Sequence, residues 1–171
     1  MKQLSALYGR ILDALALTAC AILFAVILIT CADVLLRNLF ASGIAWSNET
    51  SEYALYLMTM LTVPWLLRQG AHVRVDLLLQ AVSARNGWRL EWFVDLSGLL
   101  ISLVLMVYGV RIALESAERG SLVIKTLVFP EWWLLVPLPV AFALLAAEFV
   151  FRMQRLYEGE RVPRKDAVSA S

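Results

Sequence analysis

One histidine and two cysteines occur in 171 residues, and only 17% of the residues are charged. The lone His72 excludes a bis-histidine haem, and neither a cysteine nor an acidic cluster accompanies it to form a metal site. Cys20 and Cys31 lie eleven residues apart in one apolar block. That is about 16 Å of helical rise, too far for a disulfide within the helix. They read as buried thiols serving as small apolar residues. No nucleophile, no paired-carboxylate site and no phosphate-binding glycine loop is visible. Enzymatic chemistry therefore has no carrier, and no cofactor or metal is expected. The net charge of +1 provides no basic field for nucleic acid.

What is present is apolar, at 61% of residues. A soluble domain is closer to about half. The excess sits in four blocks: Ala14 to Ala32, Tyr53 to Leu67, Leu96 to Val110 and Trp132 to Ala147. The first has 19 residues without a charge. It nearly covers a hydrocarbon core of about 30 Å. The others have 15, 15 and 16 and must borrow from their flanks. Trp88 and Trp92 precede the third block, and Trp132 and Trp133 open the fourth, as in interfacial aromatic belts. Backbone groups in lipid must be satisfied within the span, which demands helices or a closed barrel. The blocks are continuous rather than alternating, so helices are expected.

The expected fold is an all-α membrane protein of one integral domain. Four transmembrane helices are placed at about 11–36, 47–69, 91–114 and 131–152, with the lipid bilayer as a partner. "LTAC", Leu17 to Cys20, loosely resembles a lipoprotein cleavage box. The strongest apolar run follows it rather than precedes it, so the segment reads as a retained span. The polar tail, 156–171, is expected to fray.

The stretch "RQGAHVRVDLLLQ", Arg68 to Gln80, changes the pattern. Val75, Leu78, Leu79 and Val82 share one helical stripe, and Arg74, Asp76, Gln80 and Ser83 lie largely off it. This predicts an amphipathic helix over 73–85, lying flat in the cytoplasmic interface and ended by Asn86 and Gly87. His72, Arg74 and Asp76 then form a polar elbow between the second span and the flat helix.

Charges gather at the span ends. Asp33 and Arg37, four apart, have the favourable order for a helical pair, and Glu148 and Arg152 repeat it. Arg111, Glu115 and Arg119 form a ladder, so the third span is expected to continue as helix beyond the membrane. Asp95 sits one turn into that span without an obvious local cation, and Arg68, His72 or Arg74 are candidate neighbours. In "AWSNETSEY", Ser47 or Asn48 can cap a helix, with Glu49 and Glu52 near its positive end. Two acids beside Trp46 also offer an edge for a partner. Asp33, Arg37, Trp46, Glu49 and Glu52 are thus the partner-interface candidates.

Four segments together resemble one family. They are "DVLLRNLF" (Asp33 to Phe40), "AWSNE" (Ala45 to Glu49), "GAHVRVDLL" (Gly70 to Leu78) and "FPEWWLLVPLPVAF" (Phe129 to Phe142). In this order and spacing the chain is similar to the small, DctQ-type membrane subunit of tripartite ATP-independent periplasmic (TRAP) transporters. Asn48 stands where the family often has Glu, and "KTLVF" is less polar than its counterpart loop.

The resemblance implies a subunit of a secondary importer of organic acids, driven by a sodium or proton gradient. Its partners are a large membrane subunit, which it would scaffold, and a periplasmic binding protein, which it would help to dock. A membrane anchor of an electron-transfer or other enzyme complex is the alternative. A self-contained small transporter is a third class, which paired repeats or broken helices would favour.

Orientation follows from the basic residues. The two termini and the loop between the second and third spans hold eleven, against four on the other side. This places both termini in the cytoplasm, and the family resemblance implies the cytoplasmic (inner) membrane of a bacterial or archaeal cell. Phosphatase and fluorescent-protein fusions after Arg164 and at Gly120 should therefore give opposite signals. An externally active phosphatase at Arg164 would invert the topology.

Overall fold

The computed structural model of the chain describes residues 2–69 and 84–158. The expected interfacial helix over 73–85, with His72, Arg74 and Asp76, falls outside the described residues save for its last two positions. So does the tail beyond Glu158.

Helix α1 runs Lys2–Phe40, α2 Ser47–Arg68 and α3 Ala84–Arg119. Two short strands follow, β1 Leu122–Ile124 and β2 Val128–Pro130. A single turn, α4 Trp132–Leu135, then leads into α5 Pro137–Glu158. Among the described residues three helical segments are long and apolar enough to cross a membrane: Ser5–Phe40, Asn86–Arg119 and Trp132–Tyr157. At 22 residues, α2 is about 33 Å long, also sufficient in length. Glu49, Glu52, Arg68 and several hydroxyl residues interrupt its apolar character.

The principal helix contacts are α1 on α2, α2 on α5, and α5 on α3. The helices thus form a row with α1 and α3 at its edges. Each edge helix touches its neighbour along one narrow stripe. On α1 the least exposed positions are Tyr8, Gly9, Leu12, Leu15, Ala16, Ala19, Ile22, Val26, Ile29 and Asp33, a stripe that recurs mainly at spacings of four and three. This is a seam in which side chains three and four apart share one face of the helix. On α3 the buried stripe is Glu91, Asp95, Ser102, Gly109, Ala113 and Ser116, so polar or small residues face the protein. Large apolar residues face outward, among them Phe24 at 63% and Leu100 at 63% exposed. In hydrocarbon an apolar surface needs no shelter, and association comes from close backbone approach.

Several local expectations change. Cys20 and Cys31 are exposed rather than buried. Both lie off the seam that alone buries side chains on α1. Asn86 and Gly87 do not break the chain: α3 runs through both. A glycine costs about 1 kcal/mol in a helix, too little to stop one of this length. Pro137 opens α5, where its missing N–H is not needed. The link after the third span is a hairpin, a β element within the all-α expectation. Leu122 pairs with Pro130, Val123 with Phe129 and Ile124 with Val128.

The hairpin starts from a helix stop. Gly120 has φ of +64°, its N–H meets Ala117 O, and Ser121 N–H meets Ser116 O. This is the αL glycine stop that closes the last turn of α3.

Two glycines on α3 admit α5. A Cβ on Gly109 would come within 2.6 Å of Leu138 Cδ2, and one on Gly98 within 2.3 Å of Phe149 Cζ. Gly98→Val should overpack the α3–α5 contact by about 1–3 kcal/mol and lower the Tm of the purified protein. Adding Phe149→Leu should recover part of that loss. Strictly additive losses would mean that the ring and the glycine do not meet.

Candidate functional site

The candidate residues divide between the two ends of the bundle. At the hairpin end, Asp33 is 4% exposed and lies in the last turns of α1. Its carboxylate accepts Arg37 Nη2–H at 2.7 Å and also the backbone N–H of Ile44. The expected local pair therefore exists, and Asp33 does more than form it: it pins the link between α1 and α2. Arg37 remains 57% exposed, so the pair itself is worth tenths of a kcal/mol. Trp46 occupies the N-cap position of α2 and is 43% exposed. No side chain caps that helix, so neither Ser47 nor Asn48 has the expected capping role. Ser47 N–H instead donates to Ile44 O at 3.1 Å.

Glu49 and Glu52 project from the first turns of α2 toward the hairpin. Glu49 accepts Thr126 N–H at 2.7 Å and Leu127 N–H at 3.0 Å. Those amides form the hairpin tip, where no strand partner exists. A charged acceptor on two amides is a strong form of hydrogen bond. Lys125 Nζ lies 3.2 Å from Glu52 Oε2, and that carboxylate raises the lysine above its ordinary pKa. On the inner side of the hairpin Phe129 stacks edge-on against Tyr53 at 5.3 Å and lies 6.3 Å from Trp133. This explains why the "KTLVF" link is so apolar. Glu131, not singled out from sequence, accepts the Ser116 hydroxyl at 3.0 Å and ties the hairpin base to α3.

The Asp33–Arg37 and Glu49–Glu52 pairs thus make separate ties. One fixes the α1–α2 link and the other fixes the hairpin on α2. The outer side of the hairpin stays open, with Leu122, Ile124 and Val128 at 54%, 78% and 62% exposure.

At the opposite end two of the three ion pairs run between helices. Asp95, 1% exposed, receives Arg152 Nε–H at 3.2 Å, so its cation comes from α5. The expectation named Arg68, His72 or Arg74 for this contact and paired Arg152 with Glu148. Arg152 also donates to Leu67 O at 2.9 Å, serving a carbonyl at the α2 terminus. Glu148, with no exposed surface, pairs with Arg155 and with Arg68 at 3.4 Å. Arg68 further donates to Ser5 O at 2.9 Å and lies over the Tyr8 ring. The Tyr8 hydroxyl donates to Leu144 O at 2.7 Å. Only the apolar position of Glu148 within its block hinted at this cluster. Its partners sit 80 residues away in sequence, at Arg68, and seven away, at Arg155.

Among the described residues no three of His, Cys, Asp and Glu gather as a metal ion would require. Asp33, Glu49, Glu52, Asp95 and Glu148 are engaged by guanidinium, ammonium or backbone donors, so these charged groups act as fasteners. A small helical body, charged at its ends and apolar along its flanks, defines an integral membrane protein. Residues 26–159 match the family described as "Tripartite ATP-independent periplasmic transporters, DctQ component", and the chain belongs to that family. It is a transporter component and not an enzyme. TRAP transporters of this kind in general combine such a component with a large membrane subunit and a substrate-binding protein. No curated protein matches the chain.

The hairpin tie yields a direct test. Glu49→Ala removes two charge-assisted bonds and should speed amide exchange at Thr126 and Leu127 by about tenfold or more. Glu52→Ala, which loses one exposed pair, should change those rates little. Equal effects would remove Glu49 as the holder of the hairpin tip.

Proposed function

We propose that this chain is the small permease subunit of a TRAP-type secondary importer of organic acids. It crosses the cytoplasmic membrane of a bacterium or archaeon four times, with both termini inside. It scaffolds the large transport subunit and helps to receive the periplasmic binding protein.

The observation that carries the reading is the distribution of charge against exposure. From Ala14 to Ala32 α1 has no charge, and it exposes Leu17 at 73% and Leu28 at 54%. Along α3, Leu96 to Val110 is likewise uncharged and largely exposed. Such flanks suit lateral packing against a larger helical partner through van der Waals contact. They do not suit conduction, because an organic anion in this body would find no series of polar groups at mid-depth. At the hairpin end, Asp33, Arg37, Trp46, Glu49 and Glu52 support a prebuilt surface. Asp33 and Glu49 hold its backbone, and Trp46, Arg37 and the open hairpin face remain available to a soluble partner. The electron-transfer anchor considered from sequence gives way to the family membership.

Reconstitution tests the scaffold role. In liposomes under a sodium gradient the purified chain should take up no organic acid. Adding its large subunit and a loaded binding protein should restore uptake. Substantial gradient-driven uptake by the chain alone would overturn the reading and return Asp95 to candidacy as a coupling residue.

A further inference from the structure

Helices α2 and α3 each pack on α5, and a cleft of about 370 Å³ stays open between them. Val63 and Leu66 line one wall, Ile101 and Ser102 the other, and Leu145 and Phe149 the floor. The lining is apolar in effect, because the Ser102 hydroxyl donates to Gly98 O at 2.7 Å within its own helix. Ile101 and Leu66 at the rim are 56% and 42% exposed, so the cleft opens sideways.

One end of the cleft is cationic. Leu67 is followed at once by Arg68, and Arg152 and Arg155 come one and two turns beyond Phe149. Their carboxylate partners, Asp95 and Glu148, are 1% and 0% exposed. Arg155 is 46% exposed, so the accessible charge at this end is positive. A guanidinium has five donors, and one bond to Glu148 leaves others for a phosphate.

An apolar channel that opens sideways and ends in guanidinium groups has the polarity of an amphiphile with an anionic head. We propose that the cleft binds one anionic phospholipid, an acyl chain between α2 and α3 and the phosphate against Arg155 and Arg152. This rests on the reading that α2, α3 and α5 cross the bilayer together. The chain replaces void by van der Waals contact along both walls, which the helices cannot supply to each other there. The headgroup supplies selectivity through charge-assisted bonds. A lipid so placed would brace the gap between α2 and α3.

Native mass spectrometry of the full chain, with phosphatidylglycerol or phosphatidylcholine of matched chains, tests this. One phosphatidylglycerol should be retained per chain, preferred by about fivefold, equivalent to about 1 kcal/mol. Ile101→Trp, which fills the cleft from its rim, should lower retention of both lipids by about tenfold. Arg155→Gln should leave chain binding and abolish the preference. Leu114→Trp, at the far end of α3, should change neither. Retention that is indifferent to Ile101→Trp and Arg155→Gln overturns the site. So does loss of the lipid when the large subunit is copurified, since a partner helix then fills the cleft. The crossing itself is checked separately by a fluorophore at residue 100, in a chain with Cys20 and Cys31 replaced by Ala. Quenching by brominated lipid without lipid retention defeats the lipid proposal alone. An unquenched fluorophore defeats the crossing.

Discussion

Glu148 has no exposed surface and carries a carboxylate into the middle of the helix row. Two guanidiniums meet it, Arg155 from its own helix and Arg68 from the end of α2. Arg68 then reaches the Ser5 carbonyl of α1, and the neighbouring Arg152 joins Asp95 of α3 to the Leu67 carbonyl of α2. All four long helices are therefore linked through two buried acids. A buried ion pair gains little over apolar packing, but removing one partner strands the other charge at about 3–5 kcal/mol. In a body whose flanks are equally content against lipid, such ties decide which helix ends lie together.

The packing between those ties follows from the surrounding solvent. Lipid chains are as apolar as leucine, so large side chains gain nothing by turning inward. The contact stripe of α3 is accordingly made of Asp95, Gly98, Ser102, Gly109, Ala113 and Ser116, and its leucines and valines point out. Gly98 and Gly109 admit Phe149 and Leu138 at distances no Cβ would allow. The α1–α2 contact uses the other solution, a seam of mixed size. Trp65 Nε1 adds a bond to Asp13 near its end, at 3.0 Å.

The hairpin end works on a different principle. It lies beyond the apolar blocks, so backbone amides there need explicit acceptors. Asp33 serves Ile44, Glu49 serves Thr126 and Leu127, and Glu131 anchors the base through Ser116. The acids that sequence reading offered as partner contacts are partly consumed in building the surface. What such a surface presents outward is aliphatic and aromatic: Ile124, Val128, Trp133 and Trp46.

From the sequence alone came the apolar blocks, their helical character, the Asp33–Arg37 pair and the extension of the third span to Arg119. These depend on local composition and on spacing within one helix, which a chain carries wherever it folds. The family resemblance was legible for the same reason, as short motifs in register with those blocks. Tertiary structure alone decided that Asp95 meets Arg152, that Glu148 meets Arg68, and that Glu49 holds a hairpin. It also decided that the cysteines face outward. In a chain that is apolar on nearly every face, periodicity does not mark which side is inside. The choice of neighbour falls to small residues and a few charges brought together from distant parts of the sequence.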